Sequence, residues 1–280
     1  MNCSASSGPI TWSKLLPKLL ALDLDGTLIG RDLLLRPRVL AAVAKAREQG
    51  VSGCLVTGRM FRAALPYARE LSLDAPIICY QGAAVCDPNT DEVWRHTPLP
   101  NATALAVARL AKADGFHVQL YANDKYYVER ENRFSDLYAQ LALMRPIVVE
   151  SLEETFRFSD ATKAVIIDDA QRIAGYAPQL ERAFRTQAYV TRSYPQFLEV
   201  LHPAVDKGEA LRFVADRLGL EMDCVVAIGD SWNDEPLLRA AGFGIAMDSA
   251  PPELQAVAQA VVPDVSRDGV ADAIERYVLR

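Results

Sequence analysis

Histidine is scarce, cysteine is scattered and long apolar runs are missing, and each shortage closes off a class of function. Only three histidines occur in 280 residues, His96, His117 and His202, and they stand alone. No metal-ligand spacing joins them, so a histidine-based metal centre is not expected. The five cysteines are an odd number with no Cys-x-x-Cys. That excludes a zinc ribbon and a disulfide framework and fits a reducing cytoplasm. Cys54, Cys79 and Cys224 fall in strand-like apolar runs and read as buried thiols. No run approaches the roughly 20 apolar residues of a membrane span. The first dozen residues lack a charged segment followed by an apolar one, so no secretory leader is expected. Residues 1–13, with Ser4, Ser6, Ser7, Gly8 and Pro9, read as a flexible tail. Positive charge is also short, 30 Lys and Arg against 36 Asp and Glu, net −6. This disfavours nucleic acid or an anionic membrane as partner, so any bound phosphate must be held by a few placed cations. There is no internal repeat and no low-complexity segment.

What is present is organised around Leu19-Leu20-Ala21-Leu22-Asp23-Leu24-Asp25-Gly26-Thr27-Leu28. The apolar run reads as a strand buried on both faces. Asp23 and Asp25, two apart, project to the same side in extended chain. Gly26 permits a sharp turn and a close backbone approach. Taken alone, this is also an Asp-Gly turn. A calcium loop fails on spacing: an EF-hand begun at Asp23 wants glycine where Leu28 stands and glutamate where Leu34 stands.

Downstream, the pattern predicts a helix over 37–50, a strand over 51–56, a helix over 59–73 and a strand over 76–80, a β-α-β-α-β run with a parallel sheet. The texture then changes. Strand-like stretches at 92–96, 116–121, 126–129, 165–167, 187–191 and 197–201 alternate with helical ones at 101–114, 132–143 and 170–184. From Lys207 the doubly wound pattern resumes. A helix over 207–219 leads to the buried strand Cys224–Ile228, followed by strands at 244–247 and 260–262 and a last helix from about Asp268. The expected fold is thus α/β, a doubly wound, Rossmann-like parallel-sheet core (14–85 and 203–280) with an inserted α+β cap domain (86–202).

Four stations lie where such a sheet presents its ligand edge. They are Asp-Leu-Asp-Gly-Thr at 23–27, Val-Thr-Gly-Arg at 56–59, Asp-Lys-Gly-Glu-Ala-Leu at 206–211 and Gly-Asp-Ser-Trp-Asn-Asp at 229–234. Together, in this order, they resemble the haloacid dehalogenase superfamily of phosphatases. The insertion between the second and third, with Pro-x-Ile-x-x-Tyr before it and Leu-Glu-Val-x-x-Pro before the lysine, is similar to the Cof-type sugar-phosphatase branch with a class II cap of subtype B.

The resemblance implies a chemistry. Asp23 would be the nucleophile and Asp25 the general acid/base, which asks for a raised Asp25 pKa. Mg²⁺ would be held by the Asp23 carboxylate, the Asp25 backbone carbonyl and Asp230, with Asp234 holding a metal-bound water. Thr57, Gly58, Lys207 and Asn233 would bind phosphate, helped by the helix N-terminus after Gly58. The substrate would be a small phosphate ester, a sugar phosphate or phosphorylated cofactor, and the protein a monomer or homodimer. Asp25 favours phosphoryl transfer over dehalogenation, because a halide leaving group needs no acid. A phosphomutase or phosphotransferase is the alternative, weakened by the lack of an arginine cluster in the cap strands.

Other features read more simply. Asp206 and Asp230-Ser231 suit helix N-caps. Gly242-Phe243-Gly244 lacks the third glycine of a dinucleotide loop and reads as a turn. Tyr121, Tyr126 and Tyr127 read as cap core. Arg59 and Gln81 are candidate substrate neighbours, and Gln81 departs from the asparagine usual to the family.

Overall fold

A computed structural model describes residues 16–279; the expected tail, residues 1–13, and Cys3 lie outside them. In chain order the elements begin β1 (Leu19–Leu22), α1 (Pro37–Glu48), β2 (Ser52–Leu55), α2 (Phe61–Glu70), β3 (Ile77–Cys79), β4 (Ala84–Cys86) and β5 (Val93–His96). Then come α3 (Asn101–Ala113), β6 (His117–Ala122), β7 (Lys125–Val128), α4 (Arg133–Ala142), β8 (Ile147–Val148), α5 (Leu152–Thr155), β9 (Lys163–Ile167), α6 (Ala170–Phe184), β10 (Tyr189–Tyr194) and β11 (Phe197–Leu201). The chain closes with α7 (Lys207–Arg217), β12 (Val225–Gly229), α8 (Glu235–Ala240), β13 (Phe243–Met247), α9 (Pro252–Val257), β14 (Ala260–Val262) and α10 (Gly269–Tyr277).

Five strands form one parallel sheet in the order β14-β13-β12-β1-β2. Strand β1, inside the sheet between β12 and β2, is apolar at every position because both faces are covered. Leu20 and Leu22 pack into a core with α1, α2 and α10, while Leu19 and Ala21 pack with α7, α8 and α9. Register then places the ligand edge. Leu22 lies level with Ile228 on one side and Leu55 on the other. The residues that follow these three strand ends, Asp23, Asp230 and Thr57, therefore emerge at the same rim.

The inserted segment carries a second, mixed sheet, β10-β11-β9-β6-β7-β8, antiparallel except for β7 with β8. Alternation divides its faces. Leu120, Ala164, Ile166, Leu198 and Val200 join a core beneath α3 and α6. Tyr121, Val165, Ile167, Phe197 and Leu201 face the other way and merge with the core of the parallel sheet. The expected architecture, a Rossmann-like sheet plus a cap, is the one observed. Among the described residues no helix is long and apolar enough to cross a membrane.

Three local details differ from the sequence reading. The 76–80 stretch makes a single strand bridge to the parallel sheet, Val56 with Ile78, and otherwise pairs antiparallel with β4, a strand the pattern did not reveal. The turn between them places Tyr80 and Gln81 at φ of 51° and 60°. Neither residue type announces a left-handed conformation. Finally, α2 starts at Phe61, not at Arg59, which changes what its N-terminus can do.

Candidate active site

The loops after β1 and β12 and the first residue of α7 bring four charged groups together. The Lys207 ammonium lies 2.6 Å from Asp23 Oδ1 and 2.6 Å from Asp234 Oδ1. Asp234 spends its other oxygen on the backbone N–H groups of Asp230 and Ser231, both at 3.0 Å. Asp230 accepts from the Thr27 hydroxyl at 3.0 Å. Asp23, Asp230 and Asp234 each offer a carboxylate oxygen within 4.8 Å of the others. Gly26, at φ +90°, makes the approach feasible, since a Cβ there would sit 2.1 Å from Asp230 Oδ2.

Charge arithmetic tests whether a metal fits. Three carboxylates and one ammonium leave a net −2 in a buried site. Burial and the Asp234 charge push Asp23 up to about 7, against the pull of Lys207. Burial, then Asp23 and Asp234, hold Asp230 well above the usual carboxylate range. Burial works against the Lys207 ammonium, but Asp23 and Asp234 overcome it, so Lys207 stays charged. Hard oxygen donors short of two positive charges suit a divalent cation such as Mg²⁺. Asp234 has both oxygens engaged within the protein, which leaves Asp23 and Asp230 as the freer donors.

Asp25 faces the same cavity with different partners. Arg59 grips it with two bonds, Nε to Oδ2 at 2.8 Å and Nη2 to Oδ1 at 2.6 Å, and the Tyr194 hydroxyl donates to Oδ1 at 3.0 Å. Arg59 is buried, and its Nη1 has no partner.

Thr57 is buried at the cavity wall, its hydroxyl accepting from the Arg59 N–H at 3.1 Å. The Gly58 N–H meets no acceptor among the described residues, and no side chain fits at Gly58, where a Cβ would lie 2.4 Å from Gln81 Nε2. The N-terminus of α2 is already capped, by Asp124 of the β6–β7 turn, which accepts from the Arg62 N–H at 2.9 Å. Gln81 is fully buried, bridging Asn233 to the second sheet. Asn233 lines the cavity with its Oδ1 unpartnered.

The cavity is small, about 50 Å³, and half of its wall comes from the cap: Tyr138, Lys163, Tyr194, Phe197 and Glu199 among others. Sequence reasoning named none of these. A signal existed for two of them, since Lys163 opens a buried strand and Glu199 interrupts Phe197–Leu201, and buried charges demand partners. Tyr121 and Tyr126 are buried in the cluster the cap shares with the parallel sheet, and Tyr127 packs edge-on against Phe156 in the cap's own core on the opposite face. The histidines are accounted for locally. His96 meets Thr162, His117 meets Gln119 and Asn132, and His202 accepts from the Ala204 N–H. Cys54, Cys79 and Cys224 are buried free thiols. Asp206 caps α7, accepting from the Glu209 N–H at 2.7 Å.

The haloacid dehalogenase-like hydrolase family model matches residues 20–274, nearly the whole described chain. The chain belongs to that family. It is 30% identical to the pyridoxal phosphate phosphatase of Escherichia coli, over 94% of this chain and 99% of that protein. It is 26% identical to a 5-amino-6-(5-phospho-D-ribitylamino)uracil phosphatase of Bacillus subtilis, over 93% and 97%. A crystal structure of a haloacid dehalogenase-like hydrolase from Bacteroides thetaiotaomicron superposes with a TM-score of 0.83 at 27% identity, over 93% of this chain and 99% of that one.

Proposed function

We propose that this hydrolase is a Mg²⁺-dependent phosphatase of small phosphorylated metabolites, sugar phosphates or phosphorylated cofactors, and that it works through an aspartyl-phosphate on Asp23. The observation that carries the reading is the convergence of Asp23, Lys207, Asp230 and Asp234 with a net −2 beside the unbonded Gly58 N–H. The similarity to two phosphatases of small metabolites supports it. Asp23 and Asp230, with the Asp25 carbonyl, would hold Mg²⁺, which supplies positive charge against the phosphoryl oxygens. Asp23 attacks phosphorus, its Oδ1 steadied by Lys207, while Lys207, Thr57, Gly58 and the second Asn233 Nδ2 hydrogen hold the phosphoryl oxygens. Asp25 gives a proton to the leaving alkoxide and later takes one from the attacking water. For that, Arg59 and Tyr194 must release it.

A phosphomutase would need to hold a second phosphate. Among the described residues Lys163 is the one cap cation in the cavity wall, and it is already paired with Glu199. The phosphatase reading is tested with p-nitrophenyl phosphate and a panel of metabolite phosphates, with and without Mg²⁺. Turnover should require the metal and fall by about 10⁴-fold or more in Asp23→Asn. Undiminished turnover in that variant refutes the mechanism.

A further inference from the structure

Lys163 and Glu199 are the two buried charged side chains of the six-stranded sheet, and both line the cavity. They lie on the face turned toward the parallel sheet. Lys163 Nζ donates to the Gly58 carbonyl at 2.8 Å and to Glu199 Oε2 at 2.5 Å. Its remaining side faces the rings of Tyr121 and Tyr80, 5.1 and 5.8 Å away. Two of the three Lys163 N–H donors are thus spent within the protein, and the ammonium lies against two aromatic rings. Glu199 has capacity to spare. It takes one bond from Lys163 and one, at 3.1 Å, from Gln81 Nε2. A carboxylate has about four acceptor positions, so about two stay open toward the cavity.

The chain of contacts continues into the core. An ionised carboxylate only accepts, so Gln81 must turn Nε2 to Glu199 and Oε1 to Asn233, whose Nδ2 donates at 2.8 Å. That orientation fixes Asn233 Oδ1 as a second acceptor, buried and without a partner at the same cavity. The part of the wall made by Glu199 and Asn233, beside Gly58, thus offers acceptors and wants donors. A neutral hydroxyl satisfies it. A second anionic group is repelled, and an aryl ring without a donor leaves it unsatisfied.

We propose that Glu199 selects the organic half of the substrate, accepting hydrogen bonds from hydroxyls of an uncharged sugar or polyol leaving group. Asn233 Oδ1 is the second acceptor, and Lys163 and Gln81 are positioning residues. Gln81 is fitted to this task because asparagine, one methylene shorter, would not span from Asn233 to Glu199. The assignment rests on the phosphatase reading.

The test measures kcat/KM with Mg²⁺ for p-nitrophenyl phosphate, glucose 6-phosphate, ribose 5-phosphate, deoxy analogues of both sugars, and phosphoglycolate. The wild-type protein should prefer the sugar phosphates to phosphoglycolate and lose about 10- to 100-fold on at least one deoxy analogue. In Glu199→Gln the ratio of sugar phosphate to p-nitrophenyl phosphate should fall at least about 10-fold, and Gln81→Asn should move it the same way. A ratio unchanged in Glu199→Gln shows only a tie between cap and core and overturns the proposal. So does a wild-type protein that turns over every deoxy analogue like its parent, or prefers phosphoglycolate. If Glu199→Gln does not fold, the wild-type deoxy series decides alone. Absence of any wild-type turnover, p-nitrophenyl phosphate included, is the distinct failure of the phosphatase reading.

Discussion

At the scale of single residues, the site depends on side chains with no slack. Gly58 shows this best. Its amide is open toward the cavity, while its Cα hydrogen faces the Gln81 amide, so a methyl there must displace a side chain bonded at both ends. Gly58→Ala should cost about 1–3 kcal/mol in a denaturant melt and lower kcat/KM together with it. The residue-level signals in the sequence were those of local spacing. Asp23, Asp25, Thr57, Asp230 and Asp234 follow strand ends and Lys207 opens a helix, and the structure gathers them on one rim. Partner choice was not legible. Nothing local says that Arg59 will grip Asp25, or that Lys163 will meet Glu199 across 36 positions of sequence, because those contacts exist only once strands distant in sequence are paired, β1 with β2 and β9 with β11.

At the scale of elements, the central strand was readable because four apolar residues in a row suit only a strand covered on both faces. The β3–β4 reversal was not, since Tyr80 and Gln81 take a left-handed conformation that the surrounding packing imposes. Strand β8, two residues long, is too short to carry a period. Cap and core are tied at separate points: Tyr194 to Asp25, Lys163 to the Gly58 carbonyl, Asp124 to Tyr80 and the Arg62 N–H, and Arg192 over the Trp232 ring. A cavity of about 50 Å³ is far smaller than the roughly 300 Å³ or more of ligand pockets. So small a space under the cap leads us to expect that these ties loosen when a metabolite enters. Tyr194→Phe removes one tie and keeps the ring. Its melting point should shift by no more than about 1 kcal/mol equivalent, while the pre-steady-state rate of substrate entry should rise. An unchanged entry rate would show that Tyr194 does not hold the cap.

At the scale of the whole molecule, a net charge of −6 disfavours diffuse phosphate binding, and the structure instead concentrates three carboxylates and one lysine where a divalent cation could be held. That concentration has a thermodynamic signature. Without metal, Asp23 titrates near 7 in the folded protein against an ordinary 3.8. Between those values the native state binds a proton that the unfolded chain has released, so stability falls as pH rises through the window and the loss is complete above it. The metal-free protein should therefore melt lower at pH 8 than at pH 5. Saturating Mg²⁺ should raise the melting point most at pH 8. Equal melting points at both pH values, with no response to Mg²⁺, would remove the case for a cation site.

The most direct test is acid quenching of the protein during turnover of p-nitrophenyl phosphate with Mg²⁺, followed by peptide mass spectrometry. The account predicts a phosphoryl adduct on the peptide that contains Asp23, absent without Mg²⁺ and absent in Asp23→Asn. Turnover with no adduct at Asp23, or an adduct on another residue, would contradict it.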